Sequence, residues 1–172
     1  MGTFKQSSRG FTLIELMAAM VVIAIILAIA IPGFQDYSRY AARSAAQQEM
    51  LKLAEQLERH KSRNFSYRGF DPSVLYGTYV QDASTLTFPI GASGSAIKYT
   101  IKFVDLEGNV ALNNAAAAGR SWGITAIKSS NGSQAKNYDL LLTSTGIRCM
   151  TPVSSTALTA YTGCGDKSES WQ

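Results

Sequence analysis

The side chains most suited to a specific chemical role lie near the two ends of the chain. Glu15 is the only acid in an apolar run over residues 11–31. A carboxylate at membrane depth costs about 2.5–3.5 kcal/mol at the middle of a helix and less near its end, so Glu15 invites a specific explanation. Cys149 and Cys164 are the only cysteines, and in an exported protein they would form one disulfide.

Catalytic and metal-binding chemistry finds little support in the sequence. His60 is the one histidine, which excludes a His-rich metal site, and nothing indicates a Ser-His-Asp triad. A disulfide-bonded Cys149 would not act as a nucleophile. Three alternating residues, Asp105, Glu107 and Asn109, faintly resemble a calcium-binding loop with oxygen ligands. No further acid completes the set, and a turn is the favoured interpretation. We therefore expect no enzymatic activity, no cofactor and no metal.

The apolar run has the length of a membrane-spanning helix. Its 21 residues would form a helix of roughly 31 Å, close to the roughly 30 Å of bilayer hydrocarbon. Lys5 and Arg9 precede the run without any acid, which predicts that residues 1–10 stay in the cytoplasm. A conventional secretory signal fits poorly because its apolar core is only about 7–15 residues long. An ordinary single-span anchor is also possible, but it gives Glu15 no role.

Residues 9–16, Arg-Gly-Phe-Thr-Leu-Ile-Glu-Leu, resemble the cleavage and methylation motif of type IV prepilins and pseudopilins at every position. The resemblance implies that prepilin peptidase cuts between Gly10 and Phe11 and methylates the new amino group of Phe11. It also implies that Glu15 neutralises an amino group on a neighbouring subunit when both leave water. Because a desolvated charge without a partner is strongly unfavourable, this pairing would select the axial register of assembly.

The resemblance divides the chain into three expected parts. Residues 1–10 would be a cleaved leader, residues 11–33 a transmembrane helix that becomes the filament core, and residues 34–172 the globular head. Pro32 and Gly33 end the apolar run. Because proline removes a helical hydrogen bond and clashes with the preceding turn, Pro32 marks either a simple break or a flexible point that lets the helix stretch in a filament.

The head is expected to have the α+β fold of type IV pilins. Helical spacing predicts that the helix continues over residues 34–61 and packs one stripe on a sheet; the stripe is Met50, Leu53, Ala54 and Leu57. Strand signals predict an antiparallel sheet of about four strands; they lie at residues 97–103, 110–112, 121–128 and 138–143. Residues 62–95 are predicted to be loop and turns, with a short helix or strand at 74–80.

The two cysteines would close a C-terminal loop, which the chain-entropy estimate values at roughly 3 kcal/mol. The loop is either a purely stabilising feature or a surface that contacts neighbours or targets. Pilins similar to this chain often carry such a disulfide-bounded region, whereas GspG-like secretion pseudopilins generally do not. The layout therefore favours a pilus over a secretion system.

Basic residues suggest a second, less favoured function, which is DNA binding. Arg59, Lys61 and Arg63 cluster with Arg68, and further lysines lie on predicted strands, at positions 98, 102 and 128. The formal net charge of the whole chain is only +4, so ordinary solvated positions are the favoured interpretation of these residues. A DNA site would reveal itself by a steep loss of affinity with salt.

These features together predict a structural subunit of a type IV pilus, most similar to a PilE-like minor pilin that supports assembly, twitching motility, adhesion and DNA uptake. The alternatives are a major pilin, a type II secretion pseudopilin, and a DNA- or surface-binding competence pilin. The implied partners are other pilins, prepilin peptidase and the inner-membrane assembly platform, with DNA as a further candidate. The precursor would span the inner membrane of a Gram-negative bacterium, with its C-terminus in the periplasm, before entering an extracellular filament.

Overall fold

The computed structural model describes residues 11–81 and 84–171, which divide into a unit that ends at Ser38 and a unit that begins at Arg39. The helices are α1 (Leu13–Asn64), α2 (Ser73–Tyr76) and α3 (Thr156–Thr159). The strands are β1 (Val80–Gln81), β2 (Thr85–Phe88), β3 (Tyr99–Asp105), β4 (Trp122–Lys128), β5 (Asp139–Thr143) and β6 (Arg148–Thr151). Short 3-10 turns occupy Gly77–Tyr79, Gly94–Ala96 and Gly132–Lys136.

Helix α1 begins and ends with recognisable caps. The Thr12 hydroxyl accepts a hydrogen bond of 3.3 Å from the Glu15 N–H, as in one half of a capping box. The helix is uninterrupted at Pro32. At its other end Phe65 adopts a left-handed φ of 57°, and its N–H donates to the Lys61 carbonyl at 2.7 Å. A left-handed residue at this place is a common way to satisfy the last carbonyls of a helix.

The second half of α1 carries the stripe that the sequence predicts. Met50, Leu53 and Leu57 are fully buried, and Ala54 is half-buried against the same core. They pack with side chains from one face of the sheet, including Tyr99, Ile101, Phe103, Ile124 and Leu140. Removal of this apolar surface from water is the main favourable term of folding, so the stripe holds the helix on the sheet.

Six strands form one antiparallel sheet in the described part of the chain, in the sequence order β1 to β6. The α+β fold is therefore confirmed, and β3, β4 and β5 occupy three of the four predicted strand positions. The estimate of about four strands was too low because β1, β2 and β6 are short, and neighbouring strands rather than their own pattern decide such pairing. Residues 74–80 contain both α2 and the start of β1.

The predicted strand at residues 110–112 is wrong. Val110 makes only an isolated bridge with Asp105. Asp105 is fully buried, and its carboxylate accepts hydrogen bonds from the N–H groups of Glu107, Ala118 and Gly119. These bonds fold the loop between β3 and β4 back over the strand end, so the chain cannot continue as a simple hairpin.

The opposite face of the sheet is partly covered by the C-terminal segment. Cys149 and Cys164 form the predicted disulfide, which is thereby confirmed. Leu158 and Tyr161, between the two cysteines, pack on Val104 of β3 and Leu141 of β5. The head thus has three layers, which are helix, sheet and disulfide-bounded segment.

The last described residues protect the edge of the sheet. Glu169 pairs with Met150 of β6 through two backbone hydrogen bonds of 2.7 and 2.8 Å. Trp171 is buried in the helix-side core, and its indole N–H donates to the Leu141 carbonyl at 3.2 Å. Because an open strand edge invites pairing with other chains, this tail reduces the risk of edge-to-edge association at β6.

A buried ion pair supports the junction between the sheet and the disulfide-bounded segment. The Lys128 ammonium lies 3.6 Å from the fully buried Asp139 carboxylate and donates to the Pro152 carbonyl at 2.7 Å. We predict that Lys128→Met lowers the free energy of unfolding by about 3–5 kcal/mol, because it leaves the Asp139 charge without its partner. Urea unfolding of the full chain in detergent micelles, followed by tryptophan fluorescence, measures the loss.

The matched control for this prediction is Arg120→Met. Arg120 pairs with Glu107 at 3.2 Å on the surface, and such exposed pairs contribute about 0–1 kcal/mol. An equal loss for the two variants would contradict the importance of the buried pair.

Candidate functional site

The apolar half of α1 is not covered by any other described part of the chain. Residues 11–37 are all exposed, including Phe11 at 85% and Ile14 at 77%. Within the described residues, α1 is the one helix long and apolar enough to cross a membrane. A helix that is apolar all round needs lipid or other apolar helices around it. Gly10 and the rest of residues 1–10 lie outside the described residues.

Glu15 lies in the first turn of α1. Its backbone N–H is used by the Thr12 cap, while no described side chain pairs with its carboxylate. An acid in the first turn is favoured by the positive end of the helix dipole. Glu15 therefore has a local role in starting the helix, which sequence reasoning missed although the Thr-x-x-Glu spacing could have revealed it.

Two of the predicted basic residues line a cleft at the end of α1. Arg59 and Arg63 share this cleft, of about 350 Å³, with His60, Phe70 and Asp71. The Arg59 guanidinium pairs with Glu55 at 2.6 Å. The His60 ring lies edge-on to Phe70 with 5.7 Å between ring centroids. The cleft therefore combines an apolar floor with cations, one of which is already compensated.

Lys61 is in a different network from Arg59 and Arg63. Its ammonium donates to the Tyr67 hydroxyl at 3.3 Å, and that hydroxyl donates to Glu58 at 2.8 Å. Burial and the hydrogen bond to Glu58 raise the pKa of Tyr67 above its usual value. Glu58 also accepts from the Trp122 indole at 3.2 Å, so this group ties α1 to the sheet. Arg59, Lys61 and Arg63 therefore do not form a single basic surface.

A second concave surface lies on the face of the sheet that points away from α1. This outer groove has a volume of about 380 Å³ and is floored by β3 and β4. Hydroxyl side chains dominate its lining: Ser84, Thr85, Thr100, Thr125, Thr159 and Tyr161. Lys102 and Ile127 complete it. None of the described lining residues is acidic, which distinguishes the outer groove from the cleft at the end of α1.

The wall of the outer groove depends on Tyr161 and on a glycine beneath it. Tyr161 belongs to the disulfide-bounded segment and is 7% exposed. Burial raises the pKa of its hydroxyl, against a smaller opposing effect of a hydrogen bond with Thr125, so Tyr161 stays neutral at physiological pH. A Cβ atom at Gly123 would clash with the Tyr161 ring and lie 2.6 Å from Leu106 Cδ2. Only glycine permits this close approach of segment and sheet.

The calcium alternative does not fit the geometry around Asp105. Both oxygens of this carboxylate already accept backbone N–H groups. Glu107 turns away to pair with Arg120, and Asn109 has a left-handed φ of 50° in the turn. Among the described residues, no group of three or more metal-ligating side chains converges.

Sequence reasoning noticed Lys102 but not the surface to which it belongs. The alternation in β3 already separates Thr100 and Lys102 from the apolar Tyr99, Ile101 and Phe103, because successive side chains point to opposite faces of a strand. What the alternation could not reveal is the wall of the groove, which comes from residues about 60 positions further along the chain.

Two family models match the chain. Residues 5–31 match the prokaryotic N-terminal methylation motif, and residues 32–165 match the type IV minor pilin ComP, DNA uptake sequence receptor. The type IV major fimbrial protein FimA of Dichelobacter nodosus is 32% identical over 136 residues, which are 74% of this chain and 86% of FimA. The fimbrial protein EcpC of Eikenella corrodens is 50% identical over 42 residues, 24% of this chain and 28% of EcpC. No solved structure gives a significant match.

We predict that Gly123→Ala lowers the free energy of unfolding by about 1–3 kcal/mol, a usual cost of overpacking. The cost should be smaller in a Tyr161→Ala background, because the clash with the ring is then absent and only the close contact with Leu106 Cδ2 remains. A double-mutant cycle by urea unfolding measures the difference. The same cost in both backgrounds would contradict the contact between Gly123 and Tyr161.

Proposed function

Because this chain belongs to the type IV pilins, and within them to the family of the minor pilin ComP, we propose that it is a minor subunit of a type IV pilus that binds DNA during uptake. The observation that carries the proposal is the match of residues 32–165 to a family described as a DNA uptake sequence receptor. That range contains most of the head, the disulfide and the described lining of both concave surfaces.

The N-terminal part supports assembly in this proposal. Residues 1–10 are a leader, and prepilin peptidase cuts after Gly10 and methylates Phe11, in keeping with the match of residues 5–31 to the methylation motif. The apolar residues 11–33 hold the precursor in the inner membrane with the head, residues 34–172, in the periplasm. The same helix later packs against other pilins after extraction by the assembly platform.

Glu15 and Pro32 have separate roles in that assembly. Glu15 lies four residues after Phe11, and its carboxylate neutralises the amino group of an adjacent subunit when the helices leave lipid. The cost of an unpaired buried charge makes correct register favourable. Pro32 weakens one turn of α1 and provides a point at which the helix can stretch.

One basic residue of the head is available to contact DNA in this proposal. Arg59, Lys61 and Arg63 are the basic residues singled out by the sequence, yet Arg59 pairs with Glu55 and Lys61 belongs to the network with Tyr67. Arg63 lines the cleft at the end of α1 without a described carboxylate partner. Arg63 is therefore the member of this set best able to contact phosphate.

A major pilin is the second candidate. It is favoured by the 32% identity to the major fimbrial protein FimA over 86% of that protein. The two candidates share filament incorporation and differ in abundance and in DNA binding. Neither requires catalysis by this chain, which serves as the substrate of prepilin peptidase.

Removal of the gene should separate these candidates. We predict that cells without this chain still assemble filaments but lose most of their DNA uptake, because a minor subunit is not the bulk of the fibre. Electron microscopy of sheared filaments and transformation frequency measure the two properties. Loss of the filaments, together with this chain as the bulk of the protein in sheared wild-type filaments, would identify a major pilin instead.

Replacement of Glu15 tests the assembly role. We predict that Glu15→Ala inserts into the membrane and is cleaved normally but enters filaments poorly, because the amino group of a neighbouring subunit loses its counter-charge. Immunoblots of sheared filaments against membrane fractions measure incorporation.

Thr12→Ala is the matched control for this variant. It removes the helix cap at Glu15, typically worth about 1 kcal/mol, while it keeps the carboxylate. An equal loss of incorporation for Thr12→Ala and Glu15→Ala would assign the effect to helix capping and overturn the register role.

A further inference from the structure

The outer groove carries positive charge that no described side chain compensates. Lys102 lies on its floor, is exposed and has no ion-pair partner among the described residues. Lys98 has none either, and it lies on the same side of the sheet because it is four residues from Lys102 along an extended chain. At about 3.3 Å per residue, the Cα atoms of Lys98 and Lys102 are about 13 Å apart.

The cleft at the end of α1 is less well suited to an anion. Its Arg59 is held by Glu55 at 2.6 Å, and Asp71 forms part of its lining. A polyanion would have to displace the Glu55 carboxylate from Arg59 and approach the Asp71 carboxylate, and both events oppose binding. The outer groove has no such obstacle in its described lining.

Threonine side chains flank Lys102 in a row on the floor of the outer groove. Thr85 of β2 and Thr125 of β4 are the direct cross-strand neighbours of Lys102, and Thr100 lies two residues earlier on the same face. Threonine hydroxyls and lysine ammonium groups are donors that commonly bind phosphate oxygens of nucleic acid. The row therefore offers a charge flanked by neutral donors.

The remaining wall does not add negative charge. Tyr161 is neutral at physiological pH, as tyrosine ordinarily is, burial raises its pKa further, and Thr159 is uncharged. The disulfide between Cys149 and Cys164 holds this wall against the sheet. The outer groove is thus a preformed, cation-bearing channel between β2 and the disulfide-bounded segment.

We propose that the outer groove holds the phosphate backbone of DNA, with Lys102 as its central charge and the flanking threonine hydroxyls as donors. This inference rests on the proposed function and specifies the surface that performs it. Backbone contacts position DNA without reading its sequence, so the groove supplies affinity and register, and any sequence preference must come from other residues.

Binding of a fluorescent duplex to the full chain in detergent micelles tests the proposal, by anisotropy at several salt concentrations. Lys102→Gln should weaken binding about tenfold, as expected for one charge-assisted contact, and should reduce the slope of log affinity against log salt by about 0.9. Thr100→Val should weaken binding by a smaller factor without a change of slope. Circular dichroism checks that each variant is folded.

Lys136→Gln is the matched control, because Lys136 is an exposed lysine in the 3-10 turn Gly132–Lys136, outside the groove lining. A loss for Lys136→Gln equal to that for Lys102→Gln would reduce the effect to net charge and overturn the proposal. A larger loss for Arg63→Gln than for Lys102→Gln would move the site to the cleft at the end of α1 and also overturn it.

Two further outcomes separate this proposal from the proposed function. If the unchanged protein does not bind duplex DNA at any salt concentration, both the DNA-binding function and the groove assignment fail. If the protein binds DNA with the usual salt dependence but Lys102→Gln has no effect, only the groove assignment fails. Lys102-dependent binding of inorganic phosphate without duplex binding would identify a small-anion site and overturn the proposal.

Discussion

The structure depends above all on how one helix disposes of its apolar surface. Up to residue 37 every residue described in α1 is exposed, so that half requires lipid or sister helices. Further along, the buried apolar side chains form one stripe, in which Met50 and Leu53 are fully buried against the sheet. The two halves of one continuous helix therefore need different surroundings, which are lipid or sister helices for the first half and the sheet for the second.

Attachment of the helix to one face leaves the other face of the sheet for different use. The disulfide-bounded segment covers part of it through Leu158 and Tyr161, and the close approach relies on Gly123. The uncovered part bears hydroxyls and Lys102. The residues near Phe11 that are proposed for assembly and the proposed DNA-contact residues therefore belong to separate parts of the chain, so substitutions should affect one property and spare the other.

Much of the fold followed from local patterns. The stripe on α1, strands β3 to β5 and the Cys149–Cys164 disulfide were predicted, because helical spacing, alternation and a lone cysteine pair are properties of nearby residues or of a single pairing. Strands β2 and β6 were missed, since strands of four residues show too little alternation to stand out. The strand at 110–112 was predicted wrongly because the Asp105 carboxylate captures the backbone of residues 118 and 119.

The sequence by itself determined the character of the N-terminal segment, residues 9–31, because an apolar run and a motif of consecutive residues require no distant contact to be recognised. It could not decide which basic residues act together. Arg59, Lys61 and Arg63 are neighbours in sequence, yet hydrogen bonds to Tyr67 separate Lys61 from the other two. Lys102 acquires its surroundings only when residues 159 and 161 return across the sheet. Whether a basic residue belongs to a binding site depends on such long-range packing, because the residues that neutralise its charge or line a groove around it come from elsewhere in the chain.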